Sequence, residues 1–298
     1  MITWQDLIAG PGLILADGAM GTMLFEAGLQ FGESPERWNV EHPERVQAVH
    51  QAYLQAGSRI LLTNTFGGNR WRLALHGLEG RAREFVEAGA RNTRAAVEAA
   101  GGRALVAGDI GPSGSLLAPL GELDEAEAVA GFAQQAEALL EGGADVIWIE
   151  TMSDLGEVTA AMRGVRQASA DVPILTTMTF DTHGHTMMGV SPPKAVKALA
   201  EFGAAAIGGN CGNGPDEILS VMEKMHAASP QTVLIAKANA GLPTLVDGRA
   251  VYAASPESMA EYARAAADRG ARIVGACCGS TPAHLRAMAE ALQDRSAA

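Results

Sequence analysis

Residues 136–150 read AEALLEGGADVIWIE, and this stretch contains the unit from which the whole chain is built. Its first part ends an Ala-rich amphipathic helix that we predict over residues 124–141, and Gly142-Gly143 stops that helix. The apolar run at residues 145–150 shows no polar alternation, which is typical of a parallel strand buried on both faces. The unit is therefore a helix, a glycine turn and a buried strand that ends in the carboxylate of Glu150.

The same unit recurs along the chain. Amphipathic helices are also predicted at residues 43–56, 215–228, 256–268 and 282–292, each beginning at proline, a favoured first helical residue. Alternating strands and helices predict a single (β/α)8 barrel, in one domain over residues 1–298. An open doubly wound sheet is the alternative, but no G-x-G-x-x-G turn follows the first run. The predicted strands cover residues 13–17, 59–64, 104–109, 145–150, 173–180, 205–210, 233–239 and 272–277.

Charge and composition exclude several classes of protein. The net charge is −12 and no run of Lys or Arg is present, so nucleic acid is not an expected partner. The sequence has neither a stretch of 18 apolar residues nor a signal-peptide pattern, so we expect a soluble, cytoplasmic protein with no membrane partner. Three cysteines in 298 residues do not form a disulfide framework.

All three cysteines lie at the ends of predicted strands: Cys211 follows the sixth strand, and Cys277 and Cys278 end the eighth. Barrel enzymes build their sites at these ends. Three converging thiolates favour one tetrahedral zinc ion per chain, with a fourth position open to substrate. Such an electron-rich centre activates water poorly but can hold a substrate thiol as a thiolate, ready to accept a methyl group from a cationic donor. The alternatives are three inert buried cysteines, or a Cys277–Cys278 disulfide that geometry disfavours.

Other polar residues at strand ends are candidates for substrate binding. Asp17 and Glu150 would bind an amino group, and the backbone at Gly18 together with the Thr63 hydroxyl would hold a carboxylate. Asn210, beside Cys211, is a candidate for substrate binding or for orienting the metal ligand. Each of these residues also has a purely structural interpretation, as a helix cap or a loop hydrogen-bonding group.

Aromatic residues close to the predicted barrel mouth are candidates for binding the methyl donor. Trp38, Phe66 and Trp71 lie in or beside loops, and an aromatic cage attracts quaternary ammonium or sulfonium groups. Trp148 lies inside a strand and is predicted to be core. The connection at residues 18–42 is long enough to form a functional loop over the mouth.

The chain contains the motifs DGAMGT at residues 17–22, TNTF at 63–66, GNC at 209–211 and GACCG at 275–279. These four motifs resemble those of the homocysteine S-methyltransferase family. This resemblance implies that Cys211, Cys277 and Cys278 bind zinc and that the sulfur of homocysteine is the fourth ligand. It also implies that Asp17 and Glu150 bind the homocysteine ammonium group, that Gly18 and Thr63 hold its carboxylate, and that methionine is the product.

The resemblance leaves more than one methyl donor open. SPERWN at residues 34–39 and NTFGGN at 64–69 resemble bacterial betaine–homocysteine methyltransferase-like proteins, so betaine or a related onium compound is expected. However, Gly67 stands where the animal betaine enzymes have tyrosine. The first alternative is transfer from a separate corrinoid (methylcobalamin) protein, because the chain has no Asp-x-His-x-x-Gly signature of its own. The second is a non-catalytic homocysteine-binding module.

Overall fold

Eight parallel strands form a closed ring in the computed structural model, which describes residues 1–242, 244–246 and 249–296. Neighbours in the ring follow the order β1-β10-β7-β6-β5-β4-β3-β2, and a parallel bridge between Ala16 and Ile60 joins β1 to β2. The predicted (β/α)8 barrel is confirmed, and every predicted strand has its counterpart. The strands are β1 Ile14–Leu15, β2 Ile60–Leu62, β3 Leu105–Ile110, β4 Val146–Met152, β5 Ile174–Met178, β6 Ala206–Cys211, β7 Leu234–Ala238 and β10 Ala271–Ala276.

Helices lie outside the ring, between successive strands. Additional short helices occupy the connection after β1, so residues 18–42 are partly helical rather than a plain loop. The helices are α1 Trp4–Ala9, α2 Met20–Glu26, α3 Trp38–Glu41, α4 Pro43–Gln55, α5 Arg70–Ala74, α6 Ala82–Ala99, α7 Glu125–Glu141, α8 Leu155–Ala168, α9 Pro192–Glu201, α10 Pro215–Ala228, α11 Pro256–Asp268 and α12 Pro282–Ser296, with 3-10 turns at Pro35–Arg37 and Glu79–Arg81.

Local sequence signals account for where several of these helices begin. Asp124 caps α7 by accepting hydrogen bonds from the backbone N–H groups of Ala126 and Glu127. Ser255 caps α11 by accepting from the backbone N–H of Ser258, and α11 begins at Pro256, where the sequence predicts its start. A side-chain acceptor satisfies an N–H group that has no partner within the helix, while proline supplies a suitable φ.

A short hairpin after β7 was not predicted. The antiparallel hairpin of β8 Thr244–Val246 and β9 Arg249–Val251 lies between β7 and α11. Both strands are only three residues long, which is too short for a periodic hydrophobic pattern to indicate them.

Side chains fill the interior of the barrel from the end where the strands begin. Helix α1 covers that end with Trp4 and Leu7, and strand side chains fill the space above them. Trp148 is fully buried in this interior cluster, as predicted, and its indole N–H donates to Thr177 Oγ1 at 3.1 Å. Because apolar side chains fill this part of the barrel, a ligand can bind only beyond Trp148, at the carboxyl ends of the strands. In the described part of the chain, no helix is both long and apolar enough to cross a bilayer.

Candidate active site

A cavity of about 1160 Å³ opens at the carboxyl ends of the barrel strands. Residues from the connection after β1 form one of its walls, consistent with the expectation that residues 18–42 serve the site. Residues at the ends of seven strands also line it. They include Asp17 after β1, Thr63 after β2, Asp109 in β3, Glu150 in β4, Cys211 in β6, Lys237 in β7, and Cys277 and Cys278 after β10.

The three cysteines converge in this cavity. Their sulfur atoms all lie within 4.8 Å of one another, and the Cys211 and Cys277 sulfurs are 2.8 Å apart. A tetrahedral zinc site with Zn–S bonds of about 2.3 Å places its sulfurs about 3.8 Å apart. Small side-chain rotations bridge that difference, so the thiol set fits zinc.

The thiols do not ionise alike. Hydrogen bonds from Cys211 and Cys277 lower the pKa of the Cys278 thiol to about 3. Donating to Cys277 and Cys278 raises the pKa of the Cys211 thiol. The cluster therefore favours one thiolate before any cation binds, as expected of a cation-binding group.

The backbone at Cys211 is held in an unusual conformation. Cys211 has φ +58° and Thr151, on the neighbouring part of the mouth, has φ +62°. The side chain of Asn210 joins the two, because its amide donates to Thr151 Oγ1 at 2.7 Å and its Oδ1 accepts from Thr151 N at 2.9 Å. The same amide nitrogen is 3.6 Å from the Cys211 sulfur. Left-handed backbone at non-glycine residues is costly and is typical of functional sites. Asn210 is fully buried, and its side chain contacts Thr151 and the Cys211 sulfur instead of belonging to the described cavity wall.

A buried ion cluster lies below the cysteines. Lys237 Nζ is 3.3 Å from Asp17 Oδ1, 3.7 Å from Glu150 Oε2 and 5.4 Å from the Trp148 ring centroid. Burial raises the pKa of Glu150 to about 7 against the attraction of Lys237, and burial followed by repulsion from Glu150 raises the pKa of Asp109 well above its usual value. Lys237 was not among the predicted site residues, although a lysine inside the apolar run LIAKA at residues 234–238 was a visible signal.

Comparison with known proteins identifies the family. The profile of the homocysteine S-methyltransferase family matches residues 14–292, which is nearly the whole chain. The chain belongs to the homocysteine S-methyltransferase family.

Its relatives include methionine synthases and a methyltransferase of similar size. The methionine synthases of Mycobacterium tuberculosis and Mycobacterium leprae are 33% and 32% identical to it over 296 residues. Each alignment covers 94% of this chain but 24% of the relative, so the chain spans about a quarter of those proteins. The metallated form of the Escherichia coli homocysteine methyltransferase MmuM superposes with a TM-score of 0.81 at 25% identity, covering 96% of this chain and 98% of that one.

The residues predicted to hold the homocysteine carboxylate also lie at the mouth. Gly18 lines the cavity, and a Cβ there would come within 2.6 Å of Ser280 Oγ, so only glycine fits. The Thr63 hydroxyl is 2.6 Å from Thr65 Oγ1, which itself donates to the Asp109 carbonyl. The Thr63 proton is therefore directed at Thr65, and Thr63 must rotate if it is to donate to a ligand.

The three predicted donor-binding aromatics lie in different surroundings. Phe66 lines the cavity. Trp38 is buried against His42 and Arg45, and Trp71 packs on Phe132 outside the barrel. Within the described residues, neither indole belongs to the cavity wall.

Other aromatic side chains, which were not among the predicted site residues, complete that wall. They are Phe25 and Phe31 from the connection after β1, and Tyr252, which follows β9. The Tyr252 hydroxyl hydrogen-bonds with Cys278 and helps to lower the pKa of that thiol. Tyr252 was missed because it follows an unpredicted hairpin and is brought back to the mouth only by the fold.

Proposed function

We propose that the protein transfers a methyl group to the thiolate of homocysteine, forming methionine, and that one zinc ion held by Cys211, Cys277 and Cys278 activates the thiol. Family membership supports methyl transfer to homocysteine. The convergence of three sulfurs within 4.8 Å beside buried carboxylates is the observation that carries the zinc assignment. The three free thiols suit a reducing compartment such as the cytoplasm, and the single ring of strands supports one domain over residues 1–298.

The chemistry follows from the chain's own groups. Cys211, Cys277 and Cys278 would hold the zinc ion, which would lower the pKa of a fourth thiol ligand while leaving its sulfur nucleophilic. Asn210 orients one of the ligating thiols, and Tyr252 hydrogen-bonds with another. Asp17 and Glu150 give the floor of the cavity the negative charge that draws in the substrate ammonium group. Gly18, which leaves open backbone at the mouth, and Thr63 are the proposed contacts for the carboxylate. No acid–base relay would be needed, because a thiol that binds there would release its proton to solvent.

For the methyl donor we propose a small onium compound such as betaine. The cavity wall contains the rings of Phe25, Phe31, Phe66 and Tyr252, and aromatic faces attract quaternary ammonium and sulfonium groups. Trp38 and Trp71 have no direct part in this donor site. The negative charge of the carboxylates and thiolates further favours a cationic donor over an anionic one.

A corrinoid protein is the second candidate donor, and a separate observation favours it. Large apolar side chains are exposed on loops around the same end of the barrel, including Phe31, Leu75, Leu120, Met187 and Leu245. Such a rim suits a protein partner. The related methionine synthases are about four times longer than this chain, since it spans 24% of their length.

Methionine formation by the purified, zinc-loaded protein distinguishes these proposals. Homocysteine is supplied with betaine, dimethylsulfonioacetate, S-methylmethionine or free methylcobalamin, and the Cys211→Ser variant is the control. Turnover with one onium compound supports a self-sufficient enzyme and names its donor class. Turnover with methylcobalamin alone supports a corrinoid partner. Homocysteine binding without turnover with any donor, in protein carrying one zinc per chain, favours a binding module instead.

A further inference from the structure

Tyr252 lies against the turn that carries two of the three thiols. Gly279 in that turn has φ +79°, and a Cβ there would come within 2.2 Å of Tyr252 Cγ, so glycine lets the aromatic ring reach the main chain. From this position the Tyr252 hydroxyl hydrogen-bonds with the sulfur of Cys278, the residue before Gly279. Both side chains line the cavity, so the hydroxyl lies at the metal-binding thiols themselves.

Main-chain hydrogen bonds hold Tyr252 in this place, although it follows a separate hairpin. The Ala254 N–H group donates to the Ala240 carbonyl at 3.0 Å, and the Ala254 carbonyl accepts from His284 Nε2 at 2.9 Å. His284 Nδ1 accepts from Thr281 N at 3.1 Å, so Nε2 is the nitrogen that carries the proton. Because both polar groups of Ala254 are bound only two residues after Tyr252, few positions are open to the tyrosine ring.

Two of the three sulfurs have a hydrogen-bond donor that is not a thiol. The Asn210 amide nitrogen is 3.6 Å from the Cys211 sulfur, and the Tyr252 hydroxyl bonds to Cys278. The sulfurs also hydrogen-bond with one another, and those of Cys211 and Cys277 are 2.8 Å apart. Metal binding releases thiol protons, so the bonds between sulfurs would be lost while those from Asn210 and Tyr252 would remain. These two donors therefore belong to the metal-loaded site.

We propose that Tyr252 is a positioning residue that acts through Cys278, where its hydroxyl offsets part of the negative charge of the metal centre and so favours a thiolate as the fourth ligand. This inference rests on the proposed function, because it presumes a metal ion on the three thiolates. Such a centre carries one net negative charge, and a substrate thiolate adds a second.

The same hydrogen bond distinguishes substrate from product. A hydrogen bond to sulfur becomes stronger as the sulfur carries more negative charge. The bond from Tyr252 should therefore be strongest when homocysteine is bound as a thiolate. It should be weaker when the fourth position faces the uncharged thioether of methionine. Tyr252 would thus help to hold the substrate and would give no such help to the product.

Tyr252→Phe tests this role, because it removes one oxygen atom and keeps the ring that packs on Gly279. In cobalt(II)-loaded protein, the sulfur-to-cobalt charge-transfer band should move to longer wavelength, since loss of the hydrogen bond raises the energy of the sulfur electrons. In zinc-loaded protein, calorimetry should show homocysteine binding weakened by about 3- to 10-fold, as expected for one net hydrogen bond. Methionine binding should change by less than about twofold.

Tyr262→Phe is the matched control. Its hydroxyl accepts from the Ala238 N–H group at 3.1 Å, so this variant loses a buried tyrosine hydroxyl that bonds to the main chain of β7. It should change neither the charge-transfer band nor the ratio of the two affinities. Tyr252 is half-buried at the rim of the cavity, and Tyr252→Phe should fold as the wild type does.

The outcomes separate this inference from the proposed function. An unchanged charge-transfer band in Tyr252→Phe overturns the inference while the methyltransferase proposal stands. Equal losses of homocysteine and methionine affinity also overturn it, because they would mean that Tyr252 only shapes the cavity. If the wild type binds neither cobalt nor zinc, or binds metal but no homocysteine, the proposed function itself fails.

Discussion

Removing the charge of Lys237 is the change whose effect on stability follows most directly from the structure. Lys237 is 3% exposed, and its Nζ lies 3.3 Å from Asp17 and 3.7 Å from Glu150. Methionine keeps the apolar stem and its packing but leaves the carboxylates without their cation. Breaking a buried ion pair in this way costs about 3–5 kcal/mol of unfolding free energy. With an unfolding entropy of about 2.1 cal/mol/K per residue, the 298 residues give about 0.6 kcal/mol/K. The expected fall in Tm for Lys237→Met is therefore about 5–8 °C.

The destabilisation caused by Lys237→Met should be larger at higher pH. Burial raises the pKa of Glu150 to about 7 and that of Asp109 well above its usual value, and loss of Lys237 raises both further. When the pKa of a carboxyl group is higher in the folded than in the unfolded protein, the stability of the folded protein falls as the pH rises from the lower pKa to the higher one. The variant should therefore be more severely destabilised at pH 8 than at pH 6, where protonation removes the buried charge.

Thermal unfolding of zinc-loaded protein, followed by circular dichroism at both pH values, measures this effect. Lys197→Met, on the exposed side of α9, is the control and should shift Tm by less than about 1 °C. A Lys237→Met variant as stable as wild type at pH 8, or one equally destabilised at both pH values, would refute the electrostatic reasoning.

Three further predictions concern the site directly. Cys277→Ser should lose most bound zinc and all methionine formation, and full zinc occupancy by elemental analysis would contradict the ligand assignment. In the wild type, kcat/KM for homocysteine should rise with pH through about 7 as Glu150 ionises. Glu150→Gln should abolish this rise, and an unchanged pH profile in the variant would show that another group causes it. Phe66→Leu should raise KM for an onium donor about 2- to 30-fold with little change for homocysteine, as expected from losing about 0.5–2 kcal/mol of cation–π attraction. The exposed Phe202→Leu, at the end of α9, should change neither KM and is its control.

The sequence alone determined the architecture and the convergence of the three thiols at the barrel mouth. Continuous apolar runs and amphipathic helices are local patterns, because burial on both faces of a strand or on one face of a helix dictates them position by position. Strand ends in a parallel barrel necessarily meet at one mouth. For that reason Cys211 could be paired with Cys277 and Cys278 although 66 residues separate Cys211 from Cys277.

Only the tertiary structure decided which polar and aromatic side chains share the cavity. The stagger between neighbouring strands brings Lys237 within 4 Å of both Asp17 and Glu150, and no local pattern encodes that register. Tyr252 reaches Cys278 from beyond a hairpin, whereas Trp38 turns away from the cavity to pack against its own helical neighbourhood. The contacts of Lys237 and Tyr252 join residues far apart in the chain, and they depend on how the ring closes rather than on the residues beside them.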